Sequence, residues 1–424
     1  MMESLQITGG HPLYGELTVQ GSKNAALPIL AAAILCQEEV ILEHVPEIAD
    51  VRTMEEILKE LGCLVRREGS CLRIHAGGRT KDAVPEELCR KMRSSVLLLG
   101  PLLAIGGSGQ ITQPGGCSIG KRPIDYHLEG FRCLGAETSQ QENVVCVQAE
   151  HLCGAEILLP YPSVGATENL ILAAVLAEGK TEIRNCAREP EIRTLCAFLR
   201  QMGAKIRGDG SRRIRITGVR KLSGTKFRIP GDRIVAGTWL FAGAICGGAL
   251  EVQGFPTEQL RGVYPVLRQM GCSLYPWKDG IFLQAPMRLY PAGDICTAPY
   301  PGFPTDLQSP LLALASVTNG VTTLRESVFE SRFETVKELQ RMGADIELED
   351  SCARIKGVWR LQGREVTAKD LRGGAALVLA GLQANGITTI HGWEHIARGY
   401  ERLPEQLETV GARLGGRNGE KQTH

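Results

Sequence analysis

The sequence predicts an α/β protein of two similar domains, each assembled from three copies of one unit. Three observations carry that prediction. A tripeptide of the form Leu/Met/Val-Gly-Ala/Cys recurs at Gly62, Gly135, Gly203, Gly271, Gly343 and Gly411, a period of 68–73 residues kept across a chain of 424. An amphipathic helix runs up to each of these glycines, and alternating strands that read as a hairpin follow it. Upstream of each amphipathic helix lies a second helix that is almost wholly apolar and rich in Ala, Gly and Leu. Six units group most simply as three plus three. A solenoid is the alternative, but solenoid repeats usually span ~20–50 residues, and these are longer.

The elements of the unit follow from local pattern. The apolar helices are expected at 25–36, 96–105, 169–177, 238–247, 311–318 and 375–384. Each is followed by a short strand such as 181–183. A helix apolar on all sides must be buried on all sides, so the sheets are expected to enclose these helices. The amphipathic helices, for example 54–61, 192–202 and 333–342, place apolar residues three and four apart, and the glycine then ends them. The hairpins are seen most clearly at 205–207 and 213–216, where apolar and charged residues alternate.

Composition narrows the class of function. With 48 Lys+Arg against 47 Asp+Glu the formal net charge is +1, so the basic excess of a nucleic-acid binder is missing and any charge that matters must be local. Hydrophobic residues make up 43% and charged residues 22%, which excludes disorder, while 5% aromatics argues against base-stacking surfaces. Fourteen cysteines between Cys36 and Cys352 form no CxxC pair, and thirteen of them read as reduced core thiols. The first ten residues lack the basic and apolar regions of a leader, and the longest apolar run falls short of the ~18–20 residues of a membrane span. A cytoplasmic protein without a membrane partner is expected.

Four segments between the repeated elements combine glycine with polar residues. In Gly21-Ser22-Lys23-Asn24 a lysine stands at the start of a buried helix, a natural place for an anion; the alternative is that Ser22 caps the helix and Lys23 is solvated. In Pro114-Gly115-Gly116-Cys117-Ser118-Ile119-Gly120-Lys121-Arg122-Pro123 the spacing comes near a phosphate-binding P-loop, yet Arg122 stands where magnesium binding requires Ser or Thr. Cys117 lies in this glycine-flanked loop beside Lys121 and Arg122, which favour the thiolate, so it is either a reactive thiol or an ordinary loop cysteine. Asp306, in Pro304-Thr305-Asp306, is either a helix cap or a catalytic carboxylate. Arg93, Arg332, Arg372 and Arg398 occupy comparable loops and suit carboxylate or phosphate if they converge.

Taken together, Ser22-Lys23-Asn24-Ala25-Ala26-Leu27-Pro28, the Cys117 loop, Ser163-Val164-Gly165-Ala166-Thr167, Ala187-Arg188-Glu189-Pro190-Glu191-Ile192, Phe303-Pro304-Thr305-Asp306, Asp370-Leu371-Arg372 and Arg398-Gly399-Tyr400-Glu401-Arg402 resemble the UDP-N-acetylglucosamine 1-carboxyvinyltransferase family of enolpyruvyl transferases. The resemblance runs from end to end. The Cys117 loop separates that family from the related 3-phosphoshikimate 1-carboxyvinyltransferases, which share the six-unit architecture.

The resemblance implies two inside-out α/β barrel domains with the active site in the inter-domain cleft. One, of residues 1–22 and 231–424, would contain both termini, Asp306 and Arg398; the other, 23–230, would carry a mobile Cys117 loop. It implies transfer of the enolpyruvyl group of phosphoenolpyruvate to the 3′-hydroxyl of UDP-N-acetylglucosamine, with release of phosphate, as the first committed step of peptidoglycan synthesis. No metal, organic cofactor or nucleic acid is implied, and a monomer is expected. Lys23, Arg122 and Arg398 would hold phosphoenolpyruvate, with Arg332 and Arg372 in the same cationic cluster. Asn24, Arg93, Pro123, Ile124, Asp125, Tyr126, His127, Ser163, Val164, Gly165, Val328 and Asp370 would bind substrate. Asp306 would take the hydroxyl proton, and Cys117 would protonate the methylene carbon or form a phospholactoyl thioether. The sequence departs from some members at Tyr161, where they have lysine, and at Ala397, where they have aspartate. A 3-phosphoshikimate-type enzyme, a catalytically silent binding protein of the same fold and a nucleotide hydrolase using the near-P-loop are the alternatives.

Overall fold

The computed structural model describes residues 4–115, 120 and 123–415. All six glycines of the repeat have φ between +91° and +106°. In that region a Cβ costs roughly 1–2 kcal/mol, so glycine recurs because the chain must turn there. It turns out of the amphipathic helices Ala49–Glu60, Asp125–Cys133, Pro190–Gln201, Tyr264–Gln269, Thr335–Arg341 and Leu403–Thr409. Five of the six then enter a complete hairpin, such as Lys205–Arg207 with Arg213–Thr217.

The six sheets share one strand order. The two hairpin strands come first, then the short strand that follows the buried helix, antiparallel to its hairpin neighbour, then an edge strand parallel to it. Lys205–Arg207, Arg213–Thr217, Lys180–Arg184 and Glu156–Leu158 form one such sheet. The parallel edge strands were not anticipated from the sequence, because four of the five are three-residue runs, too short to show a period. In the sheet of Ser108–Thr112 the edge is reduced to a bridge between Ala83 and Gln110.

The last unit corrects the expectation of six self-contained hairpins. Only Arg413–Leu414 follows Gly411 among the described residues, and its partner is Ser4–Thr8 from the start of the chain, which lies between Arg413–Leu414 and Ile387–His391. The second N-terminal strand, Tyr14–Thr18, is the parallel edge of the sheet containing Ala249–Gln253.

The apolar helices occupy Lys23–Ala32, Leu99–Gly106, Val164–Ala174, Arg233–Cys246, Gln308–Ala315 and Leu371–Gln383. Helical turns Arg93–Leu98 and Thr305–Leu307 lead into the second and the fifth. Each helical stretch starts two to six residues before the predicted one, because its first turn carries polar residues that hide it from an apolar-run criterion. Arg93 and Arg372, read as loop residues, therefore lie in helical turns, whereas Arg332 and Arg398 lie in irregular turns.

The chain divides into two compact units, residues 4–20 with 231–415 and residues 21–115 with 123–230. Each has three of the sheets, three of the buried helices and its own hydrophobic core. Strand residues such as Leu250, Val252 and Leu283 turn one apolar face onto the helices, which leaves every residue from Arg233 to Ile245 buried. Among the described residues no helix is long and apolar enough to cross a membrane. The thirteen described cysteines are free, but Cys133, Cys153 and Cys296 are exposed rather than core thiols. They occupy a helix end, a loop and an edge strand, positions that an isolated cysteine in the sequence does not reveal.

Candidate active site

In the unit of residues 21–230, the polar residues gather at the first turns of the buried helices. Ser22 caps the first, its hydroxyl accepting from the Ala25 N–H at 3.3 Å. Lys23, the first helical residue, is not solvated: its Nζ pairs with Asp50 at 2.7 Å, and the two side chains are 13% and 6% exposed. Asp50 comes from the first turn of Ala49–Glu60. Arg93 opens the helical turn before the second buried helix. Ser163 caps the third by accepting from the Ala166 N–H at 3.3 Å, placing Val164 and Gly165 in its first turn. Tyr161 lies just before this cap, and its carbonyl accepts from the Ser163 N–H.

Pro123 and Asp125 are exposed and Ile124 is buried, where the chain enters Asp125–Cys133. Tyr126 is partly buried against the core, and His127 is buried. His127 Nδ1 meets Asn169 Nδ2 at 2.9 Å. Its ring also lies against the third buried helix, since a Cβ on Gly165 would be 3.4 Å from Cε1 and 3.5 Å from Nε2. Glu168, next to Asn169, is buried, and burial followed by the charges of Glu191 and Glu189 pushes its carboxyl well above the ordinary range. Cys117, Lys121 and Arg122 lie outside the described residues.

In the other unit the centre is Asp306. It does not cap a helix: Arg332 Nη2 donates to Oδ1 at 2.7 Å and Arg372 Nη2 to Oδ2 at 3.2 Å. The arginine side chains are 4% and 6% exposed and Asp306 is 24% exposed, so the carboxylate is the part of this triad that water reaches. Burial would lower the affinity of Arg372 for its proton, but Asp306, Tyr400 and Asp232 outweigh it and hold the guanidinium firmly charged.

The neighbouring turns are tied to this centre by buried polar groups. Glu326 accepts from the backbone N–H of Val328 at 2.7 Å and of Phe329 at 3.1 Å, and from the Thr305 hydroxyl at 2.9 Å. One buried carboxylate thus fixes Val328 relative to the residue before Asp306. Asp370 caps the sixth buried helix, accepting from the N–H groups of Arg372 and Gly373, both at 2.9 Å. Arg398 lies in a turn after Trp393–Ile396, and Gln20 fixes that turn, donating to the Gly399 carbonyl at 3.0 Å and accepting from the Glu401 N–H at 2.6 Å.

Sequence reasoning missed Asp50, Gln20, Glu326, Asn169 and Arg233. For two of them a signal existed. Asn169 is the last of three consecutive polar residues, Thr167-Glu168-Asn169, ahead of an apolar run, and Asp232-Arg233 stands in the repeat where Ser22-Lys23 stands in the other unit, a cap followed by a basic first residue. Among the described residues no group of three or more His, Cys, Asp or Glu side chains could hold a metal ion.

Two units, each of three sheets around three buried helices, form a fold also seen in solved structures. The enolpyruvyl transferase NikO from Streptomyces tendae is 25% identical, with a TM-score of 0.88 over 97% of this chain and 98% of that one. An EPSP synthase from Acinetobacter baumannii, 22% identical with a TM-score of 0.75, shares the fold. The chain belongs to the EPSP synthase (3-phosphoshikimate 1-carboxyvinyltransferase) family, which it matches over residues 7–407. Within that family it is 45% identical over 413 residues to the UDP-N-acetylglucosamine 1-carboxyvinyltransferase of Lawsonia intracellularis, covering 97% of this chain and 99% of the relative. It is 46% identical over 420 residues to UDP-N-acetylglucosamine 1-carboxyvinyltransferase 1 of Carboxydothermus hydrogenoformans, covering 99% and 100%.

Proposed function

We propose that the protein is a transferase that moves the enolpyruvyl group of phosphoenolpyruvate to the 3′-hydroxyl of UDP-N-acetylglucosamine and releases phosphate. The observation that carries this reading is the Asp306 carboxylate, partly open to water and oriented by two buried arginines, in a chain 45–46% identical over nearly its whole length to enzymes named for that reaction. Asp306 takes the proton of the 3′-hydroxyl as its oxygen bonds to C2 of phosphoenolpyruvate. Cys117 gives a proton to the methylene carbon, or forms the phospholactoyl thioether. Loss of a methyl proton and of phosphate from the tetrahedral intermediate then restores the double bond.

Lys23, Arg122 and Arg398 hold the phosphate and carboxylate of phosphoenolpyruvate. In the structure Asp50 pairs with Lys23 and the single carboxylate of Asp306 is shared by Arg332 and Arg372, so two carboxylates offset part of the charge of three cations before substrate arrives. Asn24, Arg93, Pro123, Ile124, Asp125, Tyr126, His127, Ser163, Val164, Gly165 and Val328 serve the sugar nucleotide. Asp370 contributes by setting the first turn that carries Arg372. Residues 1–22 and 231–424 thus supply the base and Arg398, while 23–230 supply Lys23 and Cys117. By the same reading the step belongs to peptidoglycan synthesis in the cytoplasm and needs no metal or organic cofactor.

The test is phosphate release from phosphoenolpyruvate with UDP-N-acetylglucosamine, with shikimate 3-phosphate, and from ATP alone. Release only in the first mixture is expected. Release with shikimate 3-phosphate or from ATP, with none in the first, would replace this reading.

A further inference from the structure

We propose that Asn169 is a positioning residue that locks His127 in the tautomer carrying its proton on Nε2, so that the ring presents a donor at the first turn of the third buried helix. The role rests on the reading above, in which His127 and Gly165 belong to the sugar-nucleotide site.

Asn169 is fully buried, and a carboxamide there must find partners for two N–H groups and a carbonyl. It finds them in three places. Its Oδ1 accepts from the Gly100 N–H at 2.8 Å, its Nδ2 donates to the Val96 carbonyl at 2.8 Å, and the same Nδ2 lies 2.9 Å from His127 Nδ1. Val96 and Gly100 are four residues apart, the pair that would bond to each other in an unbroken α-helix. The amide is inserted between them where the turn Arg93–Leu98 gives way to Leu99–Gly106.

These two backbone groups fix which end of the amide is which. A peptide N–H only donates and a peptide carbonyl only accepts, so exchanging Oδ1 and Nδ2 would set donor against donor and acceptor against acceptor. The remaining N–H of Nδ2 is therefore directed at His127 Nδ1, which must offer a lone pair. A neutral imidazole with an acceptor at Nδ1 bears its proton on Nε2.

That proton is placed where it matters. The Cε1–Nε2 edge of the ring is the part that lies at Gly165, two residues beyond the Ser163 cap. Phosphoryl, carbonyl and hydroxyl oxygens of a sugar nucleotide are acceptors, and the opposite tautomer would face them with a lone pair. Because the same amide also holds the end of the turn that Arg93 opens, one buried side chain sets the placement of two groups of the proposed site.

The experiment uses the full-length protein with ¹⁵N-labelled histidine. The ring signals of His127, assigned among the eight histidines by their loss in His127→Gln, should show a protonated Nε2 and an unprotonated Nδ1. An Nδ1-protonated ring, or fast exchange between the two tautomers, would overturn the proposal, and this measurement needs no variant at Asn169 to fold. Asn169→Asp keeps the acceptor for Gly100 but has no N–H for His127. It should move the proton to Nδ1 and raise KM for UDP-N-acetylglucosamine by roughly tenfold or more, with KM for phosphoenolpyruvate changed less than about twofold. Equal effects on both KM values would reduce Asn169 to a structural residue and overturn its positioning role. If the wild-type tautomer is as expected but His127→Gln leaves KM for the sugar nucleotide unchanged, the placement of His127 in that site is what fails.

Discussion

Asp306 meets two guanidinium groups, one on each oxygen, and this geometry restricts how the carboxylate turns while leaving it able to accept a proton. Asp306→Asn keeps the size and one acceptor but cannot take the proton, so turnover should fall roughly 10²–10⁴-fold, with both substrates still bound in calorimetric titration. The amide also sets an NH₂ group against one of the buried arginines, so the thermal midpoint should drop with it. Turnover close to wild type would remove Asp306 from the role of base. The cysteines offer a second residue-level test. Burial pushes the thiols of Cys63 and Cys186 up to about 11 and that of Cys272 to about 12, which leaves almost no thiolate near neutral pH, whereas a cysteine beside Lys121 and Arg122 is favoured as thiolate. The epoxide phosphonate fosfomycin should therefore add one equivalent to the peptide carrying Cys117, read by mass spectrometry. Label on exposed Cys133, Cys153 or Cys296 instead would show that exposure, not an anion-binding setting, governs reactivity.

The buried helices are the elements on which both units rest, and their N-terminal turns hold many of the polar groups discussed above. Ser22, Ser163, Asp232 and Asp370 cap four of the six, while the second and fifth are entered through helical turns without a side-chain cap and carry Arg93 and Asp306 there instead. A first turn offers unpaired N–H groups and a positive dipole end, so polar residues survive there in helices that are otherwise apolar throughout. Glu168 is an exception that should be visible in solution. Its carboxyl is held well above its ordinary value of 4.5, first by burial and then by Glu191 and Glu189. Between that ordinary value and the raised one, the folded protein keeps a proton that the unfolded chain has released, so this group makes stability fall as pH rises through the window. Glu168→Gln is neutral throughout, and its thermal midpoint relative to wild type should improve as pH rises above the ordinary carboxyl range. A difference independent of pH would mean that Glu168 is ionised in the fold.

At the scale of the whole molecule, the chain leaves one unit at residues 20–21 and returns to it at 230–231, and a backbone bond within each unit ties those two points together. The Ser22 N–H donates to the Pro230 carbonyl at 2.8 Å, and the Asp232 N–H to the Gln20 carbonyl at 2.9 Å. The ends of the 21–230 segment therefore meet, one of its sheets closes through Lys226–Arg228 on Val40–Glu43, and among the described residues its core draws on none outside it. A fragment of residues 21–230 should fold alone, with a cooperative thermal transition and a far-ultraviolet spectrum of mixed α and β content. A fragment of residues 231–424 should not, because it lacks Ser4–Thr8 from the middle of one sheet and Tyr14–Thr18 from the edge of another. Cooperative folding of the second fragment, or failure of the first, would contradict this division of the core.

The repeat, the alternation of buried and amphipathic helices and the hairpins are legible in the sequence because each depends on local rules: a period of 3.6 or 2, and a glycine where φ must be positive. Residues such as Lys23, Asp306 and Ser163 could be singled out because polar groups next to an apolar helix stand out from their surroundings. What they touch was not legible. Lys23 with Asp50 and Asp306 with Arg332 and Arg372 pair across 26 to 66 positions of chain, and nothing in the local pattern of either partner names the other. The N-terminal strand is the clearest case. Ser4–Thr8 alternates like any other strand, and only the tertiary structure makes it the second hairpin strand of the last unit, because a sheet edge accepts whichever strand reaches it with the right register and buries the right face. Local sequence determined which elements form and which residues are unusual; long-range packing decided which of those residues meet.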